Sequence, residues 1–142
     1  MKGVYLLFLK VKRDCKILVG GLGEIYLRRG VYVYVGSAQN NLERRIFRHV
    51  EKHKKVKWHI DYVTVNKNTS IFAAYAYLLP KRYECRIARE LMNLMVRGFK
   101  GFGASDCKCF SHFFEVDREP EQLIEEISER IKASPIIVFK FR

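Results

Sequence analysis

The stretch that most constrains this chain runs from Gly30 to His49, GVYVYVGSAQNNLERRIFRH. Val31 to Val35 is β-branched and aromatic and reads as a strand. It breaks at Gly36 and Ser37 and opens into a strongly basic helix. Such a junction can bring a phenol, a loop of backbone amides and an arginine beside one anionic group. Asn40 with Glu43 three residues later is a capping-box pattern, which starts the helix at Asn40. At 100° per residue, Leu42, Ile46, His49 and Val50 share a face. The same projection separates two neighbouring arginines. Arg45 lies about 60° from Leu42, at the shoulder of the buried stripe, whereas Arg44 lies about 160° away and faces solvent. The helix then runs into Lys52, His53, Lys54, Lys55 and Lys57, read as a solvated basic edge suited to phosphate contacts.

That basic character extends to the whole chain. Lys and Arg number 27 against 15 Asp and Glu, a formal net charge of +12 over 142 residues. The imbalance favours a polyanionic partner, with nucleic acid first among them. The length suits one domain over 1–142, and 49% hydrophobic residues suffice for its core. Cys15, Cys85, Cys107 and Cys109 follow no disulfide framework, and no signal-like segment precedes the first strand, so a cytoplasmic, reducing setting is expected. Apolar runs such as Ile71 to Pro80 are too short to span a bilayer.

The remaining elements follow from periodicity. Gly3 to Val11 reads as a strand, with Lys16 to Val19 returning as its partner. The Gly20-Gly21-Leu22-Gly23 cluster reads as a turn and matches no phosphate-binding glycine motif. Glu24 to Val35 reads as a strand interrupted near Arg28 to Gly30. Trp58 to Val65 and Ser70 to Leu79 read as two further strands joined by a hairpin loop at Asn66 to Thr69. Tyr83 to Val96 has helical spacing, with Ile87, Ala88, Leu91, Leu94 and Met95 as its apolar face. Glu84 projects onto that face, an unusual place for an acid. Gly98, Gly101 and Gly103 make a loop before a strand at Phe110 to Val116. Glu119-Pro120 opens a third helix with the stripe Leu123, Ile124, Ile127 and Ile131. Pro135 stops it, and Ile136 to Phe141 is a last strand.

Several of these residues together resemble the GIY-YIG nuclease superfamily. Gly3-Val4-Tyr5, Tyr34-Val35-Gly36, Asn41-Leu42-x-x-Arg45-Ile46-x-x-His49 and Glu84 carry the resemblance. Trp58-His59-Ile60-Asp61-Tyr62, Glu84-Cys85 and Ser105-Asp106-Cys107-x-Cys109-x-x-His112 are similar to motifs of its archaeal and bacterial Uri-type branch. The resemblance covers residues 3–114 and leaves 115–142 as a C-terminal extension. It implies an α+β fold: a small central antiparallel sheet flanked by helices, followed by a C-terminal helix and strand. Two departures stand out. Tyr5 and Tyr34 are 29 positions apart (34 − 5), where the superfamily joins its two motifs by a short hairpin. An extra residue at Asn40 or Asn41 shifts the register, so that counting from Tyr34 selects Arg44, whereas the Leu-x-x-Arg-Ile-x-x-His pattern and the helical projection select Arg45.

The resemblance implies metal-dependent hydrolysis of a nucleic-acid phosphodiester, DNA more than RNA, by a monomer or homodimer away from membranes. The residue types suit that chemistry. A guanidinium at Arg45 offers charge and forked donors to phosphoryl oxygens. Glu84 offers an oxygen ligand to Mg²⁺ or Mn²⁺. Tyr5 or Tyr34 would orient or deprotonate water, which requires a phenol of ordinary pKa about 10 to be lowered by Arg45, the metal or His49. Ser37, Arg44, Arg48, Lys52, Lys54, Lys55 and His59 are the expected nucleic-acid contacts. Cys107, Cys109 and His112, with Cys85 as a fourth ligand, form a weaker zinc pattern; packed thiols beside Asp106 and His112 are the preferred reading. A module on the same scaffold that binds nucleic acid without cutting it is the alternative. Taken singly, each residue also has an ordinary structural reading, and only their joint order argues for a site.

Overall fold

The computed structural model describes residues 1–95 and 97–142. Its centre is β1 (Gly3–Val11), buried along its whole length except at Lys10. β1 is antiparallel to β4 (Gly30–Ala38) on one side and to β5 (Thr69–Tyr77) on the other. β7 (Phe113–Val116) with β6 (Arg97–Gly98) extends the sheet past β4, and β8 (Ile137–Lys140) closes it past β5. The order is β6-β7-β4-β1-β5-β8, all antiparallel. Because strand side chains alternate, the sheet splits the core in two. Tyr5, Leu7, Leu9, Tyr32 and Tyr34 face α1 (Leu42–Val50) and α2 (His59–Thr64). Val4, Leu6, Phe8, Val33 and Val35 face α3 (Arg82–Leu94) and α4 (Pro120–Ile131). A strand covered on both faces is apolar almost throughout, which is why the alternation of β1 is imperfect.

The α+β class, the central antiparallel sheet and the terminal helix and strand are as expected. Five local expectations are corrected. Lys16 to Val19 does not pair with β1, whose edges are taken by β4 and β5; β2 (Cys15–Val19) pairs with β3 (Gly23–Leu27) as a separate two-stranded arm. Trp58 to Val65 is not a strand. It forms α2, because the Asp61 carboxylate reaches back to the backbone N–H of Lys57 and Trp58 at 2.9 and 3.0 Å and fixes a helical first turn. Asn66 to Thr69 therefore links a helix to a strand and is not a hairpin. α1 is capped by Asn41, not Asn40: Asn41 takes a left-handed conformation and its side chain accepts from the Arg44 N–H at 3.3 Å. Phe99 to His112 carries no helix or strand, so the strand expected from Phe110 begins only at Phe113. α3 ends at Leu94, and its expected last residue, Val96, lies outside the described residues. Among the described residues no helix is long and apolar enough to cross a membrane.

Candidate active site

Where β1 and β4 run side by side, Tyr5 is opposite Gly36 and Leu7 opposite Tyr34. Both phenols lie on the face covered by α1, and both reach a cavity of about 530 Å³. Arg45 enters from α1, Glu84 from the first turn of α3, Ser37 from the end of β4, His59 from α2, and Asp106 and His112 from the loop before β7. The chain thus gathers residues separated by as many as 107 positions (112 − 5) at one opening.

Arg45 is held rather than free. Its Nη1 donates to the Ser37 carbonyl at 3.1 Å, and its guanidinium lies over the Trp58 ring, 4.6 Å from the centroid. Arg44 is exposed and does not line the cavity. Glu84 accepts from the Ser37 hydroxyl through Oε1, while Oε2 stands 3.0 Å from Nδ1 of His112. Burial works to raise the Glu84 carboxyl, but the His112 and Ser37 contacts outweigh it and hold it below the ordinary glutamate value. His112 moves the other way: burial opposes its charge, yet Glu84 raises it above the usual imidazole range.

The phenols are not activated in the way expected. Burial pushes Tyr5 and Tyr34 upward, and the opposing pull of Arg45 is smaller. Tyr5 O–H and His49 Nε2 are 2.7 Å apart, but His49 is only 1% exposed and burial, reinforced by Lys54, pushes it down to about 3. A neutral imidazole therefore sits behind Tyr5, outside the cavity lining. Tyr32 shares the sheet face but not the cavity: its hydroxyl donates to the Arg28 carbonyl at 2.7 Å and its ring stacks on Phe113.

The basic edge needs a larger correction. Arg48 clamps Asp61 through two bonds of 3.0 Å and also donates to the Lys55 carbonyl. Lys52 donates to the carbonyls of Thr64, Asn66 and Thr69 at 2.6 to 2.8 Å, tying the end of α2 to β5. Lys54 donates to the carbonyls of Arg48 and His49 at the end of α1, and burial pushes its ammonium down to about 8. These three cations are committed to holding α1 and α2 together. Lys55, like Arg44, remains exposed. The cations at the cavity mouth are Lys57, the last of the expected basic run, together with Lys81 and Arg82. For Lys81 and Arg82, which the sequence reading missed, the signal was the basic pair at the start of α3, separated from Glu84 by Tyr83 alone.

Cys85, Cys107 and His112, which line the cavity, and Cys109 beside them bring one ligand atom each to within 4.8 Å of one another. All four cysteines of the chain are free thiols. Cys107 and Cys109 belong to the irregular loop and not to a strand. This cluster could hold a metal ion, and sulfur and imidazole donors suit a soft ion better than Mg²⁺ or Mn²⁺.

Fold and cleft define an α+β protein whose antiparallel sheet presents two tyrosines to an arginine and a glutamate, with a thiol-imidazole cluster alongside. The chain belongs to the family described as Domain of unknown function DUF123, whose model matches residues 4–133, from β1 through α4. Comparison with curated proteins and with solved structures gives no match.

Proposed function

We propose that this protein is a metal-dependent endonuclease of GIY-YIG type, resembling the Uri-type branch, that hydrolyses nucleic-acid phosphodiester bonds, with DNA the preferred substrate. The observation that carries the reading is the convergence of Tyr5, Tyr34, Arg45 and Glu84 on one cavity in a chain of net charge +12. Arg45, already oriented by Ser37 and Trp58, donates to the phosphoryl oxygens as their charge grows, at little cost in reorganisation. Lys57, Lys81 and Arg82 draw the strand to the cleft. Tyr5 and Tyr34 remain phenols near neutral pH, so they position water and phosphate by hydrogen bonds, with His49 holding the Tyr5 hydroxyl in place.

Glu84 fits a hard divalent ion. Its carboxylate is ionised, each oxygen has one partner in Ser37 or His112, and each retains further acceptor capacity. A single carboxylate completed by waters and phosphate oxygens is a usual magnesium environment. Bound there, Mg²⁺ or Mn²⁺ would neutralise charge on the departing oxygen.

The test is a panel of labelled duplex, branched, nicked and single-stranded DNA and RNA with either ion. Arg45→Ala and Glu84→Ala should each lower cleavage by about 10²-fold or more while the circular dichroism spectrum is unchanged. Cleavage equal to wild type in both variants overturns the assignment. Binding of these nucleic acids with cleavage of none would make the protein a binding module on this scaffold.

A further inference from the structure

The proposed chemistry leaves three thiols and one imidazole nitrogen unused beside the cleft. We propose that Cys85, Cys107, Cys109 and His112 hold a structural Zn²⁺ ion, and that this ion, through His112, fixes the carboxylate of Glu84.

Geometry and donor chemistry agree on the ion. A tetrahedral zinc site with Zn–S of about 2.3 Å and Zn–N of about 2.0 Å separates its ligand atoms by roughly 3.5 to 3.8 Å. Here the four ligand atoms lie within 4.8 Å of one another, and Cys107 Sγ is already 3.4 Å from His112 Nε2. Side-chain adjustments of about an ångström close the shell, well within the reach of thiol rotamers. Three sulfurs and an imidazole leave no position for water, which is the mark of a structural rather than a catalytic zinc centre. Plain packing does not account for the cluster. A cysteine acting as a small apolar filler is usually fully buried, whereas Cys85, Cys107 and Cys109 are all partly exposed.

The placement explains what the ion does for the fold. Cys85 belongs to the first turn of α3, and the other three ligands come from the irregular loop between Phe99 and His112. Fourteen residues (99 to 112) without helix or strand are long for a connection inside a domain and call for a tie. Zinc joins that loop to α3 at the point where Glu84 leaves the helix. With Nε2 on the metal, His112 would carry its proton on Nδ1, the nitrogen that stands 3.0 Å from Glu84 Oε2 and makes no hydrogen bond in this structure, so that binding the ion would turn this contact into a donated bond. Carboxylate, imidazole and zinc in series is the arrangement that orients a metal-bound histidine and, reciprocally, its carboxylate partner. The role of this link in cleavage rests on the reading of Glu84 given above; the zinc site itself does not.

The protein, purified reduced and without a polyhistidine tag, should contain one zinc per chain by elemental analysis. Cobalt substitution should give intense tetrahedral d–d bands and a thiolate-to-cobalt charge-transfer band. Cys109→Ser should lose both, and Cys15→Ser should keep both. If Cys109→Ser does not fold, the wild-type chain supplies the test: a chelator should lower its Tm, and Zn²⁺ but not Mg²⁺ should restore it. Absence of stoichiometric zinc after incubation with zinc, together with no charge-transfer band, overturns the site. Glu84→Gln should weaken zinc affinity about 10- to 100-fold in a competitive titration; an unchanged affinity overturns the link to Glu84. None of these readings uses cleavage, so loss of the nuclease reading would leave them standing.

Discussion

A Cβ placed on Gly36 would lie 2.7 Å from the Tyr5 hydroxyl and 3.0 Å from Cε2 of Tyr34. Both rings are nearly inaccessible and cannot swing aside, so the glycine is the space in which the two phenols meet. Gly36→Ala should therefore cost about 1–3 kcal/mol of stability through overpacking. It should also lower cleavage by on the order of 10²-fold through misplacement of both tyrosines; urea denaturation and initial rates check the two effects separately. Gly3, in the other tyrosine motif, has a different reason: a Cβ there would strike the Tyr77 carbonyl of the paired strand. At this scale the sequence was informative wherever helical geometry applied. Arg45 and Arg44 could be told apart because Leu42 and Ile46 define a buried stripe, and the structure keeps Arg45 at the cleft and Arg44 in solvent. The tasks of Lys52 and Lys54 were not legible. Their partners are backbone carbonyls, which every residue possesses, so no pattern of side chains announces them.

Among the elements, α2 was the one whose type was misread. Trp58, Ile60 and Tyr62 alternate as a strand would, but Ile60, Val63 and Thr64 are buried at helical spacing and Asp61 secures the first turn. A buried carboxylate fed by Arg48 and two backbone N–H groups is a tertiary feature that outweighs a weak local preference. The β2–β3 arm was misassigned for a related reason: strand pattern is local, whereas the choice of partner depends on which edges of β1 are already occupied. The division of labour among the cations belongs to this scale too. Lys52→Met keeps the aliphatic stem but removes bonds to three carbonyls, and should cost about 1–3 kcal/mol. Its DNA affinity should stay within about twofold of wild type. Arg44→Ala and Lys55→Ala should do the reverse, leaving stability intact and each reducing the slope of log affinity against log salt by about 1. Thermal melts and fluorescence anisotropy across a salt series separate the two groups.

The molecule as a whole should lose stability as the pH falls below about 6.5 when free of metal. His49 titrates near 3 when folded against about 6.5 when unfolded. Between those values the unfolded chain binds more protons, so stability is fully present above about pH 6.5 and declines as the pH falls, by on the order of a few kcal/mol. His112 has the opposite sign: its folded value is raised, so its contribution is complete below about pH 6.5 and is lost as the pH rises. Glu84 and Asp61, both lowered, act only below the ordinary carboxylate range of about 4. Urea midpoints between pH 4.5 and 6.5 should consequently slope downward with acid in the wild type and be nearly flat in His49→Gln. The class of fold and the four converging residues were readable at this scale because motif order survives folding. All four members of the thiol-imidazole cluster were named from the sequence, but packed thiols were preferred to a metal, since Cys85 joins the others through tertiary contact rather than through spacing.

The arm between the two tyrosine strands bears on how such chains come to differ in length. Pairing of β1 with β4 ends at Val11 opposite Gly30, so the excursion from Lys12 to Arg29 is 18 residues (29 − 12 + 1). Closing a flexible loop of that length rather than half of it costs only about 0.6 kcal/mol in chain entropy. Burial of Ile17, Val19 and Leu27 in the core beside α2 offsets that cost. The number of residues separating the two motifs is therefore almost without thermodynamic weight, and the ladder that sets Tyr5 opposite Gly36 keeps its register whether the excursion is long or short.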